Sequence, residues 1–153
     1  MVYVLFTPFL IQGCAMLVDE FYFHRRRGLG KWERLGHPLD TLTVLACFCW
    51  LTVTEPNMQN LMVFVSLAFF SCLFVTKDEW VHAKECPATE QWLHALLFVL
   101  HPLVFLSAGS FWWFQLPTAE FILIGQVALL LAFICYQIVY WNFMRKKIAV
   151  CGN

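Results

Sequence analysis

The sequence predicts an all-α integral membrane protein of five transmembrane helices, four of them forming an antiparallel bundle with a metal site at its cytoplasmic end. Three observations predict it. First, 61% of the 153 residues are hydrophobic and 13% charged, with mean hydropathy +0.68, which is too apolar for an ordinary soluble domain. Second, the ten Lys and Arg residues occupy three stretches only: Arg25 to Arg34, Lys77 to Lys84, and Arg145 to Lys147. Basic residues flank membrane spans on the inside, so all three stretches belong to one face. Third, four Asp/Glu-x-x-x-His pairs lie in or beside the first two stretches: Glu20/His24, Glu33/His37, Asp78/His82 and Glu90/His94.

The chain reads as one transmembrane domain, residues 1–153. The apolar run from Val2 to Val18 has neither a basic leader nor a small-residue cleavage site, so it reads as a span rather than a cleaved signal. The Arg25-Arg26-Arg27 triplet holds the end of this first helix (about 2–24) inside and places the N-terminus outside. Gly28 and Gly30 make the short connection that neighbouring antiparallel helices require. The second helix, about 32–54, carries Glu33, His37 and Asp40 on one stripe, and Gly36 and Pro38 are expected to bend it. Glu55-Pro56-Asn57 is an outer turn.

The third helix, about 58–84, extends past the bilayer to carry Asp78 and His82. Pro87 ends it, and Thr89 is the expected N-cap of the fourth helix, about 90–114. Leu116-Pro117-Thr118 is the second outer turn. The fifth helix, about 119–143, is apolar and free of histidine; it is expected outside the bundle or capping it, with the C-terminus cytoplasmic. The expected location is an inner membrane of bacterial type.

Residues four apart lie on one helix face about 6 Å apart along the axis, so each pair can turn an oxygen and a nitrogen toward one point. The pairs also form a degenerate repeat. Laying Asp78 on Glu20 puts His82 on His24, and Glu90 and His94 on Glu33 and His37 after deletion of one loop residue. Charge balance alone would account for Asp19, Glu79 and Glu85, but it does not require a histidine four residues after each acid.

The candidate metal ligands are therefore Glu20, His24, Glu33, His37, Asp78, His82, Glu90 and His94. His101 lies on the same face as His94, as an additional ligand or as a core histidine bonded to a carbonyl. Carboxylate and imidazole without a thiolate motif suit iron, manganese or zinc. Four acids and four histidines imply two divalent ions, iron first, with carboxylates bridging them.

In ligand logic the pattern is similar to the ferritin-like di-iron carboxylate bundles, in which two helices give a Glu and two give Glu-x-x-His. Here the spacing is four, and each of the four helices supplies a histidine. The eight-histidine boxes of membrane desaturases are absent, since the chain has five histidines.

The seven cysteines form no CxxC pattern and lie mostly in apolar runs, as buried reduced thiols do. Cys86 stands in a polar segment, as an inert loop thiol or as a ligand or redox group. No glycine-rich phosphate loop or nucleic-acid signature is present. These observations lead to the expectation of a di-iron oxidoreductase acting with dioxygen on a lipid or other hydrophobic substrate, its partners membrane lipid and an electron donor. The alternatives are a membrane zinc hydrolase and a non-enzymatic metal-binding or transport protein. A haem protein ligated by His94 or His101 would leave the acids without a role.

Overall fold

Long uncharged runs in lipid can satisfy their backbone groups internally only as helices, and the chain folds accordingly. A computed structural model describes residues 2–145. Lys146, Lys147 and Cys151, and with them most of the last basic cluster and the C-terminal end, lie outside the described residues.

Five continuous helices follow one another: α1 Val2–Arg27, α2 Lys31–Val53, α3 Met58–Glu85, α4 Ala88–Trp113 and α5 Ala119–Met144. There is no strand among the described residues. Helices α1, α3, α4 and α5 are long and apolar enough to cross a membrane. Here the structure differs from the five equivalent spans that the sequence leads one to expect. Helix α2 has 23 residues, but Lys31, Glu33, Arg34, His37 and Asp40 make its first half polar.

Helix α1 packs on α4, α3 on both α2 and α4, and α5 along α2. Packing along α2 brings the last turns of α5 to the polar end of the molecule, where Trp141 meets Glu20. The apolar core includes Phe9, Phe48, Phe64, Phe105, Phe111 and Leu123. A Cβ on Gly109 would lie 2.9 Å from Phe64 Cε1, so glycine is what admits the buried Phe64 ring against α4. At the same end, Asn57 caps α3 by accepting from the Asn60 N–H at 2.9 Å, and Trp112 Nε1 donates to the Thr54 carbonyl at 2.8 Å.

The irregular turns gather at the other end. Helix α1 loosens to a π-helical turn over Asp19–His24, α3 tightens to a 3₁₀ turn over Val75–Asp78, and α5 has a π turn over Tyr140–Met144. A π turn absorbs an extra residue and so rotates the rest of the helix about its axis. In α1 the outcome is that Asp19, Glu20 and His24 are all buried.

Helix α4 begins at Ala88 with Pro87 as N-cap, not after Thr89: the ring holds Pro87 at φ −65°, and its ψ of 156° is the extended geometry of an N-cap. Helix α2 runs unbroken through Gly36 and Pro38. Gly36 serves a close approach: a Cβ there would lie 3.0 Å from Asp78 Oδ2.

Candidate metal centre

The four histidines of the repeat, contributed by α1, α2, α3 and α4, form a closed ring. Centroid separations are 4.8 Å for His24 and His37, 6.2 Å for His37 and His82, 4.0 Å for His82 and His94, and 6.3 Å for His94 and His24. Glu20, Glu33, Asp78 and Glu90 are buried around them. The structure therefore brings together all eight residues of the four sequence pairs.

Their partners differ from those the spacing suggests. Glu20 does face its own histidine, with Oε2 3.3 Å from His24 Nδ1. The other acids cross between helices. Arg27 donates to Glu33 at 2.6 and 3.0 Å and to Glu90 at 2.9 and 3.2 Å, drawing both away from the histidines of their own helices. Glu33 also accepts the Gly30 N–H at 2.9 Å, in the manner of a capping box. Asp78 accepts from Trp32 Nε1 at 2.6 Å and from Lys77 Nζ at 2.8 Å, and Lys77 also bonds Asp40 at 2.7 and 2.8 Å.

Each histidine nevertheless turns one nitrogen toward a carboxylate. His94 Nε2 lies 3.0 Å from Asp19 Oδ1, His82 Nε2 3.6 Å from Glu33 Oε1, and His37 Nδ1 4.0 Å from Asp40 Oδ2. The nitrogens on the other side of each ring are His24 Nε2, His37 Nε2, His82 Nδ1 and His94 Nδ1, and all four are buried without a hydrogen-bond partner among the described residues, His24 Nε2 lying 3.3 Å from Asp19 Oδ2. So are His82 Nε2 and Glu90 Oε2. In His94, through Asp19 at 3.0 Å, and in His24, through Glu20 at 3.3 Å, a carboxylate holds one ring nitrogen, the arrangement that orients a metal-ligating imidazole; the acids nearest His82 and His37 are beyond hydrogen-bond range.

Two sets of potential ligand atoms share most of these residues. One atom each of Asp19, His24, Glu90 and His94 lie within 4.8 Å of one another, as do one atom each of Glu33, His37 and His82. Atoms bound at roughly 2.0–2.3 Å to a common ion are spaced in this way. Further sets join His37 with Asp40 and Asp78, and His82 and His94 with Cys86.

Several of these residues carry no mark in the sequence spacing. Asp19 reaches the site through the π turn, which an α-helical reading turns elsewhere. Arg27 lies three residues beyond His24 and could be found only as a charge beside a pair. Trp141, 121 residues from Glu20, donates from Nε1 to Glu20 Oε1 at 2.5 Å and leaves no sequence signal at all.

His101 stands apart. Its Nε2 is 3.0 Å from Ser71 Oγ, which is 2.7 Å from Thr43 Oγ1, and its ring packs edge-on against Phe105. It belongs to a hydrogen-bonded network between helices, and none of the ligand sets includes it.

A cavity of about 120 Å³ opens beside the histidines. Its walls combine the cluster with Met16, Val44, Leu97, Phe98, Leu130 and Phe133. At the α3–α4 turn, Gln91 Nε2 donates to the Cys86 carbonyl at 2.9 Å. Burial pushes the Cys86 thiol up to about 12, with the Arg27 guanidinium pulling the other way.

No protein-family model, curated protein or solved structure matches the chain.

Proposed function

We propose that this chain is an integral membrane oxidoreductase with a dinuclear metal centre, iron first and manganese or zinc as alternatives. It acts with dioxygen and an electron donor on a lipid or other apolar substrate. The observation that carries the metal reading is the set of buried atoms with no hydrogen-bond partner among the described residues: one nitrogen each of His24, His37 and His94, both nitrogens of His82, and Glu90 Oε2. Each unsatisfied buried polar group costs about 1–3 kcal/mol. Six together approach the whole stability of a typical domain, about 5–15 kcal/mol. Cations accept one lone pair from each of the four neutral imidazoles, and those of Glu90 Oε2, that no donor among the described residues reaches.

Charge supports two ions rather than one. Asp19, Glu20, Glu33, Asp40, Asp78 and Glu90 surround the histidines, and among the described residues Arg27 and Lys77 are the Lys and Arg side chains that bond to them. Ionised, this set carries four negative charges in excess, the charge of two divalent ions with neutral imidazoles.

The chain's own groups divide the work. Asp19 orients His94 and Glu20 orients His24, and the apolar wall of the cavity suits a hydrocarbon chain entering from the bilayer. Dioxygen is the oxidant, and the external donor returns the electrons. Protein purified after growth with ample iron, manganese and zinc is expected to hold about two ions per chain and, with a chemical reductant, to consume dioxygen. Absence of bound metal sinks the reading. Two tightly held zinc ions with no dioxygen uptake would instead turn it toward hydrolysis.

The same reading takes all five helices as spans running alternately, with the site on the cytoplasmic side and the N-terminus outside. It is supported by the basic residues from Arg25 to Arg34 and from Lys77 to Lys84 lying at the end of the molecule that carries the site. A topology reporter fused after Asn153 is expected to read cytoplasmic, and one inserted at Pro117 external. If both report one side, the five-span topology is wrong.

A further inference from the structure

Cys86 is the titratable group beside the site that the carboxylate–imidazole reading leaves idle, and its surroundings are not those of an inert loop thiol. It is buried at 8% exposure between α3 and α4. Its Sγ and one ring nitrogen each of His82 and His94 lie within 4.8 Å of one another. Both imidazoles are 4% exposed, and their rings are the closest of the four, at 4.0 Å.

The two rings are held differently. His94 Nε2 is 3.0 Å from Asp19 Oδ1, whereas His82 Nε2, 3.6 Å from Glu33 Oε1, is beyond hydrogen-bond range. The Nδ1 atoms of both rings are buried and without a hydrogen-bond partner among the described residues. Two adjacent imidazoles with unbonded Nδ1 atoms, one of them oriented by Asp19, beside a buried thiol make a three-donor set.

The backbone holds the set together. His82 and Cys86 are one helical turn apart, with the Cys86 N–H donating to the His82 carbonyl at 2.9 Å. Gln91, on the same helix as His94, ties the turn through the Cys86 carbonyl. All three donors therefore sit on one braced corner.

We propose that one of the ions is held by His82, His94 and the thiolate of Cys86, so that the centre has two unlike halves, one ligated by oxygen and nitrogen and one by nitrogen and sulfur. The inference rests on the metal-centre reading and deepens it. Binding replaces the S–H bond by a sulfur–metal bond, and the proton leaves to solvent, with no change of oxidation state. A thiolate selects zinc or ferrous iron over manganese, magnesium or calcium for this half. The sulfur also raises electron density at one ion only, which makes the two inequivalent.

The test is titration of metal-free, full-length protein in detergent with Co(II). Wild type is expected to show the near-ultraviolet thiolate-to-cobalt charge-transfer band together with the visible ligand-field bands. Cys86→Ser is expected to lose the charge-transfer band while still binding cobalt, and Cys86→Asp to keep the wild-type stoichiometry without the band. Cobalt bound to wild type with no charge-transfer band, or a band undiminished in both variants, overturns this inference and leaves the metal-centre reading standing. No cobalt bound to wild type overturns both.

Discussion

Replacing His24 and His94 together by Ala is expected to lower bound metal from about two ions per chain to one or fewer while leaving membrane insertion unchanged. The two residues come from α1 and α4 and meet in the set with Asp19 and Glu90, so both imidazole donors of that set are lost. Insertion is driven by the apolar spans, to which neither side chain contributes hydrophobic surface. Asp19→Asn is the finer probe. It keeps the shape but weakens both the acceptor that holds His94 Nε2 at 3.0 Å and Asp19's own place in the ligand set, and loss of the outer hydrogen bond alone typically weakens metal binding about 10–100-fold. Metal content by elemental analysis, and affinity by competition with a chelator, read the two effects separately. If the double variant retains two ions, the free imidazole nitrogens are not ligands.

The helices and the residues that meet at one end are legible in the sequence because hydropathy and helical period are local properties. Runs of apolar residues mark α1, α3, α4 and α5, and an acid and a histidine four apart mark each contribution to the cluster. The partners are not legible, because they are settled by competition among side chains from different helices. Arg27 captures Glu33 and Glu90, and Lys77 and Trp32 capture Asp78. Spacing along one helix carries no information about such contests.

The π turn at Asp19–His24 is a second limit. A one-residue change of phase brings Asp19 inside, and no feature of a 3.6-residue period announces it. For His101 the sequence leaves open an additional ligand or a histidine bonded to a carbonyl; in the structure its partner is the Ser71 hydroxyl at 3.0 Å, and the ring is in none of the ligand sets.

The largest stability effect is expected from Arg27→Met, and its sign depends on metal. Arg27 is the bridge between the two ligand sets: its guanidinium bonds Glu90 of the first and Glu33 of the second. Both acids have 0% relative exposure, and the arginine side chain is 17% exposed, so the network is largely out of water. Removing one partner from a buried ion pair costs about 3–5 kcal/mol, because the remaining charge is stranded. At about 2–4 °C per kcal/mol for a chain of this size, metal-free Arg27→Met should melt on the order of 10 °C below wild type. Divalent ions reverse part of this loss, since the stranded carboxylates then face cations, and removing a neighbouring positive charge strengthens cation binding. The rise in melting temperature on adding Mn(II) or Zn(II) should therefore be larger in the variant than in wild type, by the linkage between binding and stability. Arg27→Lys, which keeps the charge but not the two-armed geometry, should fall between them. An equal metal-induced shift in all three proteins would mean that Arg27 braces the fold and has no electrostatic link to the site.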